Sequence, residues 1–229
     1  MTVLVESGTA RAALWRLLSL GFAPPTDETL AEVEALADAL VQLGAPLEVE
    51  ELLAALRSSD RPDLEAEYQS LFGGGVAVAP YEGSYELDPL RQGRQMADIA
   101  GFYRAFGADP HGPAAERPDH LGCELEFLAF LELKRLVESE TGDDDGARLA
   151  DEIAEAFLHD HAGRWLPGFF AEVRVTAATG SPFAALAAVG EGLVAAELER
   201  RALSPSPLPR RRRATLPVER DSFDCGTAA

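Results

Sequence analysis

Apolar residues recur along most of the chain at intervals of three and four, the spacing that places them on one face of an α-helix. The alternation typical of β-strands is nearly absent. The spacing and the punctuating residues predict helices over roughly 8–20, 27–41, 46–56, 62–72, 89–106, 118–139 and 147–159, and two more that begin near 164 and at 182. The sequence therefore predicts an all-α fold, built as a single globular helical bundle.

Residues suited to capping stand where several of these helices are expected to begin. Thr26 precedes a first turn that contains two acids, which favour the positive end of the helix dipole, and Ser181 precedes Pro182. Loops are predicted over 73–87 and 108–117. Beyond Leu203 the composition turns to Pro, Ser and Arg, which cannot bury a core. We therefore expect an all-helical domain over 1–203 and a flexible, disordered Pro/Arg-rich tail over 204–229.

The charge of the chain limits its partners. The net charge is −19, and the tail holds five Arg against three acids, so the body is more acidic than the whole. Such a surface repels phosphate groups, which argues against a nucleic-acid partner. No apolar run approaches the ~20 residues of a spanning helix, and no secretory signal is evident. We expect a cytoplasmic protein without stable membrane insertion, present as a monomer or homodimer.

Three short motifs stand out between residues 67 and 128. They are Glu67-Tyr-Gln-Ser-Leu-Phe-Gly73, Pro80-Tyr-Glu-Gly-Ser-Tyr85 and Glu116-Arg-Pro-Asp-His-Leu121. The second motif falls in a predicted loop and keeps large aromatic side chains beside a carboxylate. It predicts an apolar groove with an acidic rim, a surface suited to a peptide with arginines, because Arg pairs with carboxylates and stacks on rings.

The third motif contains an Asp-His pair. Pro118 is expected to open a helix, so that Asp119 and His120 lie in its first turn and Glu124 follows His120 by four residues. The pair is compatible with helix capping, with a binding site or with an acid–base dyad. His120-x-x-Cys123 offers two metal ligands, but no second pair with suitable spacing follows. We expect neither a metal, nor a cofactor, nor catalytic activity.

These motifs, together with the pattern Phe157…His161…Trp165…Phe169, resemble the TorD/DmsD/NarJ family of redox-enzyme maturation chaperones. The resemblance implies an all-helical cytoplasmic chaperone. Its partners would be the apo-form of a molybdenum oxidoreductase catalytic subunit, of the dimethyl sulfoxide or nitrate reductase type, and the twin-arginine signal peptide of that subunit. The chaperone would hold this client until the molybdenum cofactor is inserted. The peptide-binding residues would be Tyr68, Leu71, Phe72, Pro80, Tyr81, Glu82, Asp119 and His120, with Tyr85 and Glu116 completing the set.

Two further expectations follow from this comparison. Gly83, in the middle of the tyrosine motif, departs from the family pattern and is expected to loosen the loop. Replacement of Asp119 or Tyr81 by Ala is expected to weaken peptide binding without lowering the melting temperature. Two other functions stay open: a helical adaptor for an amphipathic partner helix, and a weak nucleotide-binding or hydrolytic enzyme that uses Asp119, His120 and Glu124.

Overall fold

Helices account for almost all of the regular structure in the computed structural model, which describes residues 7–73, 77–108 and 116–209. The helices are α1 Gly8–Gly21, α2 Asp27–Gln42, α3 Leu47–Ser58, α4 Arg61–Phe72, α5 Pro89–Ala105, α6 Leu121–Thr141, α7 Asp144–Phe157, α8 Gly163–Thr176 and α9 Pro182–Arg200. Within the described residues there is no β-strand, and one isolated antiparallel bridge joins Tyr81 to His120. The predicted all-α fold is confirmed.

Most helices begin where the sequence supplies a cap. Thr26 and Thr29 form a reciprocal capping box at the start of α2, and Asp60 accepts a hydrogen bond from the Asp63 backbone at the start of α4. Ser181 caps α9, whose first residue is Pro182, as predicted. Local chemistry therefore accounts for the agreement between the predicted and observed starts of these helices.

Three predicted boundaries were wrong. The helix predicted from residue 147, α7, begins at Asp144, because the Asp143 side chain caps it by accepting a hydrogen bond from the Gly146 backbone. The longest helix, α6, begins at Leu121 and not at Pro118, because the His120 side chain caps it by accepting a hydrogen bond from the Gly122 backbone. The break predicted near residue 164 is absent. A π-helical turn over Leu158–Ala162 carries α7 directly into α8. Pro167 lies in the first turns of α8 and has no N–H to donate to the helix. The wider π turn ends where α8 begins.

The core is shared by the long helices. α6 packs between α1 and α7, and α9 packs against α8 and α3. A group of aromatic rings fills the space among α4, α8 and α9, with Phe72 and Phe169 stacked at 6.1 Å between ring centroids. Gly190 of α9 allows Phe170 to approach closely, since a Cβ there would stand 2.5 Å from the ring. This packing holds α4, α8 and α9 together through aromatic contacts.

The chain stays packed against the body beyond residue 203. The Leu208 N–H donates to the Arg164 carbonyl at 2.8 Å, and the Leu208 side chain is buried in the core. Arg164 Nε donates to the Ser206 carbonyl at 3.2 Å. The first residues of the predicted tail therefore cover α8, and the rest of that segment, 210–229, lies outside the described residues. No helix in the described part of the chain is long and apolar enough to cross a membrane.

Candidate functional site

The tyrosine loop, residues 80–85, is joined to the start of α6 by backbone hydrogen bonds. The Glu82 N–H donates to the Asp119 carbonyl at 2.9 Å, and the Leu121 N–H donates to the Pro80 carbonyl at 2.8 Å. These two bonds flank the bridge between Tyr81 and His120. The structure thus brings the second and third motifs together, although they are more than 30 residues apart in the sequence.

Asp119 is fully buried and supports this junction from the inside. Its carboxylate accepts hydrogen bonds from Arg117 Nε at 3.0 Å and Arg117 Nη2 at 2.7 Å, a bidentate pair. It also accepts a bond from the Gly83 N–H at 3.1 Å. Asp119 therefore lies before α6 and not in its first turn, and its oxygens are occupied by the protein itself.

Gly83 does not loosen the loop, contrary to expectation. Its N–H is held by Asp119, and a Cβ at this position would stand 2.8 Å from Asp119 Oδ2. The missing side chain therefore allows the backbone of the loop to lie directly against the buried carboxylate. This close approach makes Gly83 part of the junction.

Glu82 is also fully buried, and it is linked to the surface through a histidine. Its carboxylate accepts a hydrogen bond from Gln95 Nε2. The distance from Glu82 Oε2 to His161 Nδ1 is 3.2 Å. The opposite ring nitrogen, His161 Nε2, lies 3.2 Å from Asp98 Oδ2, and the Asp98 side chain is exposed. His161 thus bridges one buried and one exposed carboxylate.

Glu124 completes a set of three buried acids that we call the carboxyl cluster: Glu82, Asp119 and Glu124. Trp165 Nε1 donates to Glu124 Oε2 at 2.8 Å. Burial, and next the charge of Glu82, raise the pKa of Glu124 well above its ordinary value. The arrangement therefore favours a proton on Glu124 in the folded protein.

The outer side of the junction reaches solvent, and we call it the Tyr81 surface: Glu116 and Arg117, which are exposed, and Tyr81 and His120, which are partly buried. The Tyr81 hydroxyl donates to Glu116 Oε1 at 3.2 Å, and the Arg117 guanidinium lies 4.7 Å from the centre of the Tyr81 ring. The His120 ring centroid is 5.1 Å from that of Tyr81. Since His120 Nδ1 accepts from Gly122 and burial lowers the pKa of His120, the neutral ring carries its proton on Nε2.

The other predicted binding residues take different positions. Leu71 and Tyr85 belong to the core, with exposed fractions of 2% and 1%, and Pro80 is buried. Tyr68 and Phe72 are half-buried, with their rings in edge contact at 5.3 Å. The predicted acidic rim is also reduced, because Glu82 and Asp119 face inward and Glu116 is the member of the set that reaches solvent.

Several residues that shape the site were not among the predicted peptide-binding residues: Gln95, Asp98, Arg117, Glu124, His161 and Trp165. Arg117 lies inside the third motif, and Glu124 follows His120 by four residues, so the sequence already pointed to the region that contains both. Gln95 and Asp98 had no local signal, since their role depends on contacts with distant residues. In the described part of the chain, no group of three His, Cys, Asp or Glu residues could hold a metal ion.

Comparisons with known proteins agree with the sequence motifs. The profile of the nitrate reductase delta subunit family matches residues 26–171. The chlorate reductase assembly chaperone protein of Ideonella dechloratans is 37% identical over 122 residues, 52% of this chain and 62% of that protein. The selenate reductase assembly chaperone protein of Thauera selenatis is 38% identical over 116 residues, 49% of this chain and 58% of that protein. The chain thus spans about three-fifths of the length of these two relatives.

A third relative aligns over more of its length. The perchlorate reductase assembly chaperone protein of Dechloromonas aromatica (strain RCB) is 30% identical over 210 residues, which are 85% of this chain and 91% of that protein. Among solved structures, a redox enzyme maturation protein from Archaeoglobus fulgidus superposes with a TM-score of 0.57 and 23% identity. This superposition covers 81% of this chain and 93% of that one, and it shows a shared fold.

Proposed function

Because the chain belongs to the nitrate reductase delta subunit family, we propose that it is a non-catalytic assembly chaperone for the catalytic subunit of an oxidoreductase. The names of its relatives support a client of the chlorate, selenate, perchlorate or nitrate reductase kind. The chaperone acts on the cytoplasmic side of the membrane. It binds the apo-subunit and its twin-arginine signal peptide until the molybdenum cofactor is in place.

The observation that carries this proposal is a partly exposed aromatic and charged face that is hydrogen-bonded to a buried support. The Tyr81 surface offers two rings, one carboxylate and one guanidinium, and the carboxyl cluster holds its backbone from behind. A peptide arginine can form charge-assisted hydrogen bonds with Glu116 and stack on Tyr81, in place of Arg117. Because the support is already ordered, binding loses little conformational entropy.

Isothermal titration calorimetry tests this proposal with the full chain and a synthetic twin-arginine signal peptide of a reductase from the same organism. We expect a dissociation constant near 1 μM, about −8 kcal/mol. A peptide with both arginines replaced by lysines, and a scrambled peptide, should bind more weakly, since Lys cannot form the bidentate pair.

Variants of the protein locate the binding surface. Tyr81→Ala should weaken binding of the twin-arginine peptide about tenfold. The control Val175→Ala, at a side chain on α8 that is 83% exposed, should leave the dissociation constant unchanged. Equal binding of an unrelated amphipathic helix would support a general helical adaptor instead. Undiminished binding to Tyr81→Ala would remove the Tyr81 surface from the site.

A further inference from the structure

His161 lies inside the bundle, in the π-helical turn that joins α7 to α8. The two histidines of this turn have opposite environments: the His159 side chain is 55% exposed, whereas that of His161 is 3% exposed. The rings of Phe102 and Phe157 pack against the His161 imidazole, at 5.6 and 5.4 Å between centroids. Turns of this kind are frequent at functional sites, and this one directs His161 toward the tyrosine loop.

Both ring nitrogens of His161 face carboxylates. Nδ1 lies 3.2 Å from Oε2 of the buried Glu82, and Nε2 lies 3.2 Å from Oδ2 of Asp98. Ionised carboxylates only accept hydrogen bonds, so both contacts are hydrogen bonds only if each ring nitrogen carries a proton. A histidine with both nitrogens protonated is an imidazolium cation. The geometry therefore favours a charged His161.

The charge balance of the carboxyl cluster leads to the same assignment. Asp119 is paired with Arg117, and Glu124, whose pKa is raised by burial and by the charge of Glu82, favours its protonated form. Glu82 is then the ionised member that lacks a permanent cation, since no Lys or Arg in the described part of the chain forms an ion pair with it. A buried carboxylate without a positive partner is strongly unfavourable. An imidazolium at His161 supplies that partner.

A cavity gives this buried pair access to solvent. Its volume is about 690 Å³, and both Asp98 and His161 line it. The other charged groups of its lining come from the tyrosine loop side, from α5, and from the π turn with α8: Glu86, Arg91, Arg94, Asp160 and Arg164. Together with Asp98 they are three acids against three bases, so the lining imposes no strong net charge on the ring. The protons of His161 can therefore exchange with bulk water through this cavity.

We propose that His161 is a positioning residue for the Tyr81 surface, and that its two ring protons join Glu82 to Asp98. Glu82 directly follows Tyr81 and begins a short 3₁₀ turn, so the bond that holds the Glu82 side chain inside also fixes where Tyr81 lies. When the ring loses a proton as pH rises, one of the two bonds is lost and the hold on the loop weakens. The consequence for peptide binding rests on the proposed function, whereas the charged state of His161 does not.

Nuclear magnetic resonance of the histidine rings tests the charged state directly. In the full chain, labelled with a nitrogen isotope, long-range nitrogen–proton spectra distinguish imidazolium from neutral rings. At pH 7, where an unperturbed histidine is about three-quarters neutral, we expect protons on both nitrogens of His161 and a neutral ring at His120. Asp98→Asn, at a side chain that is 66% exposed, should raise the neutral fraction of His161. A neutral His161 in the wild type at pH 7 would overturn the inference.

A double substitution separates charge from packing. His161→Gln leaves an amide that can donate to Glu82 but carries no charge, so the urea midpoint should fall. Glu82→Gln removes the buried negative charge that then lacks a partner, so its addition to His161→Gln should restore much of the loss. The matched control His159→Gln changes an exposed ring of the same turn, which bonds to Asp160, and should stay close to the wild type. Fully additive losses would mean that His161 only fills space, and an equal loss in His159→Gln would locate the effect in the turn itself; either result contradicts the inference.

Peptide binding, measured by calorimetry with an N-acetylated twin-arginine peptide, tests the positioning role. We expect His161→Gln to raise the dissociation constant about tenfold at pH 7. Between pH 7 and 9 the wild type should lose affinity, and the loss should be smaller in His161→Gln, which retains Glu124. Neither the peptide arginines nor Tyr81, whose pKa burial raises above its ordinary value, titrates in this range.

Two outcomes separate this inference from the proposed function. Binding to His161→Gln that equals the wild type would overturn the positioning role and leave the chaperone proposal intact. If no form of the protein binds the peptide, the proposed function fails, and the ring spectra and the double substitution still decide the charged pair.

Discussion

The two sides of the junction between the tyrosine loop and α6 carry similar residue types in opposite environments. On the inner side, the carboxyl cluster has its acids fully buried and bonded to Arg117, Gln95, His161 and Trp165. On the outer side, Glu116 is exposed and bonded to the Tyr81 hydroxyl. Burial gives the inner groups the larger expected role in stability, and exposure leaves Glu116 accessible to a partner.

Residues of one predicted binding set therefore fall into two groups, those that support the junction from inside and those that reach solvent. Asp119 and Tyr81 were both expected to affect binding alone. The structure assigns the larger role in stability to Asp119, since its oxygens are already bonded inside the protein. Four substitutions test the division, in order of decreasing effect on the free energy of unfolding.

Asp119→Ala should have the largest effect. It removes two bonds to Arg117 and one to the Gly83 N–H, which is left buried without its acceptor. We expect a loss of about 3 kcal/mol in the free energy of unfolding, measured by urea denaturation. Glu140→Ala, which removes an exposed carboxylate from α6, should change stability by less than about 0.5 kcal/mol. An unchanged stability with weaker peptide binding would return Asp119 to the binding residues.

Gly83→Ala should have the next largest effect, because its Cβ would stand 2.8 Å from Asp119 Oδ2 and force the loop away. We expect a destabilisation of about 2 kcal/mol. The control is Gly93→Ala in α5, where a Cβ meets nothing within 4 Å. In an exposed helix the same substitution should stabilise the protein by up to about 1 kcal/mol. If urea denaturation showed that both variants change the free energy of unfolding in the same direction, the close approach of the loop to Asp119 would be contradicted.

Glu124 should make stability depend on pH. Its pKa is raised in the folded state, so the folded protein binds this proton more tightly than the unfolded chain does. The resulting stability is present in full below the unfolded pKa, near 4.3, and is lost as pH rises toward the folded pKa. The slope is at most about 1.4 kcal/mol per pH unit.

Urea denaturation of the wild type and Glu124→Gln between pH 5 and 8 would measure this contribution. The Gln amide keeps an acceptor for Trp165 Nε1 and cannot titrate, so the variant should show a smaller loss of stability with rising pH. All other acids are shared by the two proteins, and the difference between their slopes therefore reports Glu124. Parallel slopes would mean that Glu124 is ionised in the folded protein.

Local sequence information located the helices and most of their boundaries, but it did not determine which site residues face solvent. Periodicity and caps located most helix boundaries, since those signals act within a few residues. Whether Glu82 faces solvent or the core depends on His161, which is 79 residues away. The same holds for the contact between Trp165 and Glu124. The family resemblance grouped the three motifs as one set, but it could not separate the supporting residues from the exposed ones.

Glu116→Gln should have the smallest effect on stability and still affect binding. The Gln side-chain oxygen can accept the bonds that Glu116 receives from the Tyr81 hydroxyl and the Arg117 N–H, at 3.2 and 3.0 Å. We expect a change below about 0.5 kcal/mol in the free energy of unfolding. A twin-arginine peptide should bind about fivefold more weakly, because a neutral acceptor replaces a charge-assisted one. Calorimetry at low and high salt would check the cause, since the difference between the two proteins should shrink as salt screens the charge. A stability loss as large as that of Asp119→Ala would mean that the two sides of the junction are one structural unit.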